Sequence, residues 1–328
     1  MKSFIEVCSG AGGLSLGFIQ AGFNPLLLVD NDQICCCTLQ LNHKNTAVKC
    51  QDMTDLNLSA YYDQVDVLIG GLPCQSFSIA GKRTGLNDLR GNLFFYFPQL
   101  VTQCHCKMFV IENVKGLLSH NKGNTIKEII NILSINQTYK IFIKVLNAKD
   151  YNVPQKRERV FIVGIRSDIY DQDFIYPPSS KEVVLLHHVL TDDIKNAEGS
   201  KYSTEKLKIM SLVPSGGCWI NLPIELQKEY LGNSFYSSGG RRGIARRLSM
   251  DELCLTLTTS ACQKQTERCH PTETRPLNIK EYARIQTFPD HYLFHGTLAQ
   301  RYKQIGNAVP VKLAYAIAMS VSRYLDKM

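Results

Sequence analysis

The sequence predicts an α/β fold with a doubly wound parallel sheet, joined to a second, smaller and irregular domain. Three observations predict it. Short apolar runs ending in polar residues alternate with helix-patterned stretches, the rhythm of βαβ units. A glycine-rich turn, Ser9-Gly10-Ala11-Gly12-Gly13, lies between the first apolar run and the first helical pattern, as in nucleotide-binding sheets. The rhythm stops near residue 166, and Pro177-Pro178-Ser179-Ser180 reads as a linker.

The elements follow in order. Residues 4–7 form a short apolar strand, and Leu14, Leu16, Phe18 and Ala21 mark one face of the helix behind the glycine turn. Residues 25–29 are a second strand, ending at Asp30-Asn31-Asp32, and residues 47–50 a third, ending at Gln51-Asp52. Residues 65–69 are a fourth, which runs into Gly70-Gly71-Leu72-Pro73-Cys74. Residues 107–111 are a fifth, ending at Glu112-Asn113-Val114. Helical patterns cover 92–101 and 125–133, and two more strands cover 139–146 and 159–165. Residues 275–290 regain regular patterning, and Pro310 opens a last helix with Leu313, Ile317 and Val321 on one face. There is no internal repeat and no low-complexity segment.

The chain has 328 residues, room for one large domain and a smaller one. A 44% hydrophobic content supports a sizeable core. The net charge of +8 suits a polyanionic partner without identifying one. Met1-Lys2-Ser3 leads straight into a strand, so no secretory leader is expected, and no apolar run is expected to span a bilayer. The twelve cysteines are therefore expected to be reduced, in a cytoplasmic chain. Cys104-His105-Cys106 and Cys269-His270 lack the spacing of a structural zinc pair, so no metal is expected.

The glycine turn lets a ligand approach the backbone closely. Asp30, twenty residues beyond Gly10, ends the next strand, where a carboxylate accepts hydrogen bonds from ribose hydroxyls, and Asp52 is placed to take an adenine amine. This set fits any nucleoside-bearing cofactor. The dinucleotide pattern G-x-G-x-x-G is broken at Ser15, which favours a nucleoside without a diphosphate, such as S-adenosylmethionine. Cys74 and Glu112 stand at the ends of neighbouring strands, which would bring a thiol and a carboxyl over one pocket. Alternation along Gln155-Lys156-Arg157-Glu158-Arg159 would point Gln155, Arg157 and Arg159 towards that same pocket.

Together these residues resemble the DNA cytosine-C5 methyltransferase family. The resemblance rests on Glu6-Val7-Cys8-Ser9-Gly10-Ala11-Gly12-Gly13-Leu14, Gly71-Leu72-Pro73-Cys74-Gln75-Ser76-Phe77-Ser78 and Glu112-Asn113-Val114. It continues through Pro154-Gln155-Lys156-Arg157-Glu158-Arg159-Val160-Phe161, residues 281–290 and Gly306-Asn307-Ala308-Val309-Pro310. It implies a Rossmann-like, S-adenosylmethionine-dependent methyltransferase domain over 1–175 and 275–328, with a target-recognition domain over 176–274. It departs at Cys8, where phenylalanine is usual, at Asp30, where glutamate is commoner, and at Leu72, where proline is frequent. The Cys8 departure is expected to weaken cofactor packing.

The resemblance implies that Cys74 adds to cytosine C6, that Glu112 meets the N3/N4 edge, and that Gln155, Arg157 and Arg159 complete the catalytic set. Partial burial would keep Glu112 acidic, and Arg159 would raise the thiolate fraction of Cys74. Cofactor contacts are expected from Cys8, Gly10, Gly12, Gly13, Leu14, Asp30, Asn31, Asp52, Met53, Pro73, Asn307 and Val309. The target base must leave the duplex.

Four arginines within 241–247, namely Arg241, Arg242, Arg246 and Arg247, are expected to contact double-stranded DNA together with Lys264 and Arg268. Thr256 and Thr258 lie in a short Thr-Leu element of the kind found in the family's recognition domains, and Gln75, Ser78 and Arg83 border the Pro-Cys loop. Residues 81–91 are expected to close over the flipped base. The expected enzyme is monomeric and functionally paired with a restriction endonuclease. An RNA cytosine methyltransferase and a non-catalytic DNA-binding relative are the alternatives. The arginine-rich segment weighs against the first and the intact Cys74, Glu112 and Arg159 against the second.

Overall fold

A computed structural model describes residues 1–73, 93–236 and 243–328. In chain order the elements are β1 (Ser3–Val7), α1 (Gly13–Gln20), β2 (Asn24–Asp30), α2 (Gln33–Asn42), β3 (Ala47–Cys50), β4 (Val67–Gly71), α3 (Leu93–Cys104), β5 (Met108–Val114), α4 (Asn124–Leu133) and β6 (Tyr139–Asn147). They continue with β7 (Gln155–Lys156), β8 (Glu158–Arg166), α5 (Thr204–Ser211), α6 (Ile224–Leu231), β9 (Cys254–Leu255), α7 (Ile279–Ile285), α8 (Leu298–Asn307) and α9 (Val311–Leu325). The chain divides into two compact units. One comprises 1–151, 158–181 and 308–328, and the other 152–157 and 182–307.

The first unit is built on a seven-stranded sheet in the order β3-β2-β1-β4-β5-β8-β6. Strands β1 to β5 pair in parallel. Every residue of β1 is buried, as is β5 up to Asn113, because helices cover both faces of a sheet of this kind. The expectation of a wholly parallel sheet needs a correction: β8 lies antiparallel between β5 and β6. Parallel neighbours need a crossover, usually a helix. The segment 148–157 between β6 and β8 holds only a short 3-10 turn and β7, so the chain turns back instead.

Helix α1 packs on α9 so closely that a Cβ at Gly17 would fall 2.4 Å from that of Ala314. Residues 298–325 are long and apolar enough, by length and composition, to cross a membrane, contrary to the sequence expectation. They form two helices rather than one, and 67% of their most apolar window is buried within the protein.

The second unit has little regular backbone pairing: β7 and β9 form a two-residue parallel pair, Gln155 beside Cys254 and Lys156 beside Leu255. One of its apolar clusters is small, with Met210, Val213, Leu222, Ala245 and Cys269 at its centre. Helices α7 and α8, which the sequence placed with the catalytic domain, belong to this unit, where Arg157 bonds both Leu257 and the end of α8.

Candidate active site

The C-terminal ends of β1, β4 and β5 converge. Gly71 is the register partner of Glu112. A Cβ on Gly71 would lie 3.8 Å from both Cys8 O and Glu112 Oε2, so the carboxyl hangs over the end of β4, where the chain leaves towards Pro73. Asn113 donates from Nδ2 to Leu72 O at 2.7 Å and fixes that departure. Asn113 was not singled out from sequence. Its signal was an amide directly after the strand-end carboxylate.

Glu112 is buried and forms an ion pair with Arg159, Nε to Oε1 at 2.8 Å. The contact follows from register, since Arg159 on β8 sits opposite Val114 on β5. Arg159 is thus engaged by Glu112. Cys74, Gln75, Ser78 and Arg83, with the loop 81–91, lie outside the described residues.

Gln155 and Arg157 belong to the second unit. Both are buried within it. Gln155 donates to Gln286 Oε1 at 2.8 Å and accepts from Leu257 N at 3.0 Å. Arg157 donates to Leu257 O at 3.2 Å, Gly306 O at 3.0 Å and Asn307 O at 3.4 Å. The expected alternation fails because the five residues do not form one strand. Gln155 pairs with β9, whereas Arg159 pairs with β5 and β6.

The glycine turn is held from below. Cys8, Gly10 and Gly12 take positive φ values of 52°, 54° and 78°. Asp30 accepts from Gly10 N at 2.7 Å and from Asp32 N at 2.9 Å, one bond on each oxygen. It braces the turn as well as ending β2. Asn31 is exposed and donates to Asp52 Oδ2 at 3.1 Å. Asp52 also accepts from Thr54 N and Oγ1, and the Thr54 backbone N–H leads in holding its carboxyl below the usual range. Cys8 Sγ lies 3.6 Å from Met53 Sδ. Burial, then Asp30 and Asp52, push the Cys8 thiol up, so it stays neutral. Leu14 is buried and packs as core, while Asn307 is exposed and Val309 buried.

Glu6 also escaped notice in the sequence. It is buried on β1 among apolar residues, and burial raises its carboxyl from 4.5 to about 8, with Ser15 and Ser9 opposing. An acid inside an otherwise apolar strand was the available signal.

The expected DNA contacts divide sharply. Arg241 and Arg242 lie outside the described residues. Arg247 is buried and donates to Val213 O, Met210 O, His270 O, Glu273 O and Thr274 Oγ1. Arg268 is buried and donates to Glu267 O and Thr256 O. Both belong to the frame of the second unit rather than to a DNA surface, which corrects the sequence expectation. Arg246 is half-buried, bonded to Gly216 O and paired with Glu252. Lys264 is exposed, with its ammonium over the Tyr230 ring. Thr256 donates to Lys156 O, and Thr258 meets Thr266 through their hydroxyls at 3.2 Å. Among the described residues, no group of three or more His, Cys, Asp or Glu is arranged to hold a metal ion.

A carboxylate–guanidinium pair at the end of a parallel sheet, beside a braced glycine turn, suits the group-transfer chemistry expected from the sequence. Known proteins agree. A family model for C-5 cytosine-specific DNA methylases matches residues 2–323. The chain is 47% identical to Type II methyltransferase M.Eco47II of Escherichia coli, over 99% of this chain and 79% of that one. It is 45% identical to Type II methyltransferase M.Sau96I of Staphylococcus aureus, over 98% and 76%. A crystal structure of an E. coli prophage protein assigned as a DNA modification methyltransferase covers 99% of this chain and all of that one, at 25% identity and a TM-score of 0.73. The Entamoeba histolytica methyltransferase EhMeth shares the fold, with a TM-score of 0.69 at 17% identity over 99% of both chains. Methyltransferases of this family depend on S-adenosylmethionine. The chain belongs to the C-5 cytosine-specific DNA methylase family and is a DNA cytosine-5 methyltransferase.

Proposed function

We propose that this methyltransferase modifies C5 of a flipped-out cytosine in one short duplex sequence, through a covalent bond between Cys74 and C6. The observation that supports this reading most is the Glu112–Arg159 pair above Gly71, two residues before Pro73. Cytosine C5 is too weak a nucleophile to be methylated directly. The Cys74 thiolate adds to C6, and the electron pair released into the ring makes C5 nucleophilic. Glu112, held by Arg159, accepts from the N4 amine and shares a proton with N3 as charge arrives there. Once C5 carries the methyl group, loss of its proton expels the thiolate and frees Cys74.

The glycine turn fits the methyl donor. A Cβ at Gly10 would meet nothing within 4 Å, which leaves room for a ligand against the turn. Cys8, Gly10, Gly12, Gly13, Asp30, Asn31, Asp52, Met53, Pro73, Asn307 and Val309 would hold S-adenosylmethionine, which supplies an electrophilic methyl group on a sulfonium. Gln75, Ser78, Arg83, Arg241, Arg242, Arg246, Thr256, Thr258 and Lys264 are the proposed DNA contacts, within a target-recognition segment over 176–274. The proposed enzyme is a monomer that acts on cytoplasmic DNA, and the Type II names of the relatives support pairing with a restriction endonuclease.

Incubation with duplex DNA and methyl-labelled cofactor should place label on cytosine C5, and sequencing methylated cytosines in expressing cells should give one short motif. The absence of C5 label on mixed-sequence DNA would overturn the reading. Cys74→Ser should abolish the covalent complex with 5-fluorocytosine DNA; a complex that still forms would assign the nucleophile elsewhere.

A further inference from the structure

We infer that Arg157 is a positioning residue that couples DNA recognition to cofactor binding, by locking the Thr256–Leu257–Thr258 segment to Gly306 and Asn307 at the end of α8. This rests on the proposed roles of Thr256 and Thr258 towards DNA and of Asn307 towards the cofactor.

Leu257 is gripped at both ends of its backbone. Its N–H donates to Gln155 Oε1 at 3.0 Å, and its carbonyl accepts from Arg157 Nη1 at 3.2 Å. The other arm of Arg157 reaches Gly306 O at 3.0 Å and Asn307 O at 3.4 Å. One fully buried guanidinium therefore spans both segments. Gln155 completes the bridge through Gln286, whose Nε2 donates to Ile305 O at 2.7 Å. The two segments are also in direct contact. A Cβ at Gly306 would fall 2.1 Å from Thr258 O and 3.0 Å from Thr259 N, so only glycine lets them meet. Thr256 Oγ1 donates to Lys156 O at 2.7 Å, which ties the same segment to the residue before Arg157.

The bonds of Gln155, and those of Arg157 to Leu257 and Gly306, are directional and buried, and they leave little freedom to move one segment without the other. A shift of Thr256 and Thr258 on binding DNA is passed to the backbone at Asn307, and a ligand held at Asn307 biases the threonines in return. Linkage makes the effect reciprocal. A lysine could not replace the arginine, since one ammonium lacks the planar fork that reaches carbonyls on both sides.

The test uses the full chain with S-adenosylhomocysteine as the probe, with and without a duplex bearing the sequence found methylated in expressing cells. In the wild type, duplex should tighten probe binding by about fivefold or more. In Arg157→Lys and in Gln286→Met the ratio should fall towards one, and Gly306→Ala combined with Arg157→Lys should add little further. Gln286→Met touches neither segment's ligand contacts and serves if Arg157→Lys fails to fold. A thermal midpoint that drops while the ratio stays at the wild-type value would assign Arg157 a purely structural role and overturn the inference. So would a wild type whose probe affinity ignores DNA. Failure of the proposed function would appear separately, as a wild type that labels no cytosine.

Discussion

The two units use arginine in opposite ways. In the first, the parallel ladder from β1 to β5 satisfies the backbone, and Arg159 is available to pair with Glu112 at the strand ends. In the second, β7 and β9 contribute a two-residue pair, and most of the chain between them is irregular. Its carbonyls still need donors once buried. Arg157, Arg247 and Arg268 supply them, with nine hydrogen bonds to carbonyls among the three. Where a sheet holds the fold, a buried arginine is free for chemistry. Where loops hold it, the arginine becomes part of the scaffold.

The comparison can be broken most decisively at Glu112. Glu112→Gln keeps the shape and removes the charge that Arg159 faces, and methyl transfer should fall by roughly 10²–10⁴-fold. The thermal midpoint should stay close to that of the wild type; a stable variant that retains near-full activity would remove Glu112 from the chemistry. Arg247→Met should act on stability instead, lowering it by on the order of 3 kcal/mol by stranding several buried carbonyls. Denaturant unfolding measures the loss, and an unchanged midpoint would return Arg247 to the pool of DNA contacts.

Glu6 sharpens the contrast within the first unit. Its folded value of about 8 lies above the ordinary 4.5, so the native state holds a proton that the unfolded chain releases. The stabilisation is therefore full below pH 4.5 and is lost as pH rises through about 8. Over that window the slope is at most about 1.4 kcal/mol per pH unit. Glu6→Gln should flatten the wild-type decline in stability between pH 5 and 8, and parallel curves would show that the acid is not the source. The smallest effect belongs to Lys264→Ala. Stability should change by less than about 0.5 kcal/mol, while the salt dependence of DNA affinity should lose about one phosphate contact. An unchanged salt slope would place Lys264 away from DNA.

Much of the first unit was legible in the chain. Ala47–Cys50 matches its expected strand throughout, and Asn124–Leu133 and Tyr139–Asn147 each differ from expectation by one residue. Continuous apolar runs buried on both faces leave a strong local signal. Glu112 was legible for the same reason, as a charge at the end of such a run. The antiparallel β8 was not, because strand direction depends on where the next hydrogen-bonding partner lies.

The recognition segment was read by composition, and there composition misled. Arg246 and Arg247 are adjacent in sequence, yet one pairs with a glutamate at partial exposure and the other is enclosed by five acceptors. Nothing local separates them.

The sequence by itself determined most strands and helices of the first unit, the glycine turn with its carboxylate twenty residues on, and the family, because each rests on residue types at short, regular spacings. Only the tertiary structure decided which arginines are scaffold. It set Glu112 against Arg159, tied Arg157 to Leu257, Gly306 and Asn307, and closed five acceptors around Arg247. The reason is that a guanidinium is allocated by whichever acceptors surround it, and those come from residues up to 150 positions away in the chain.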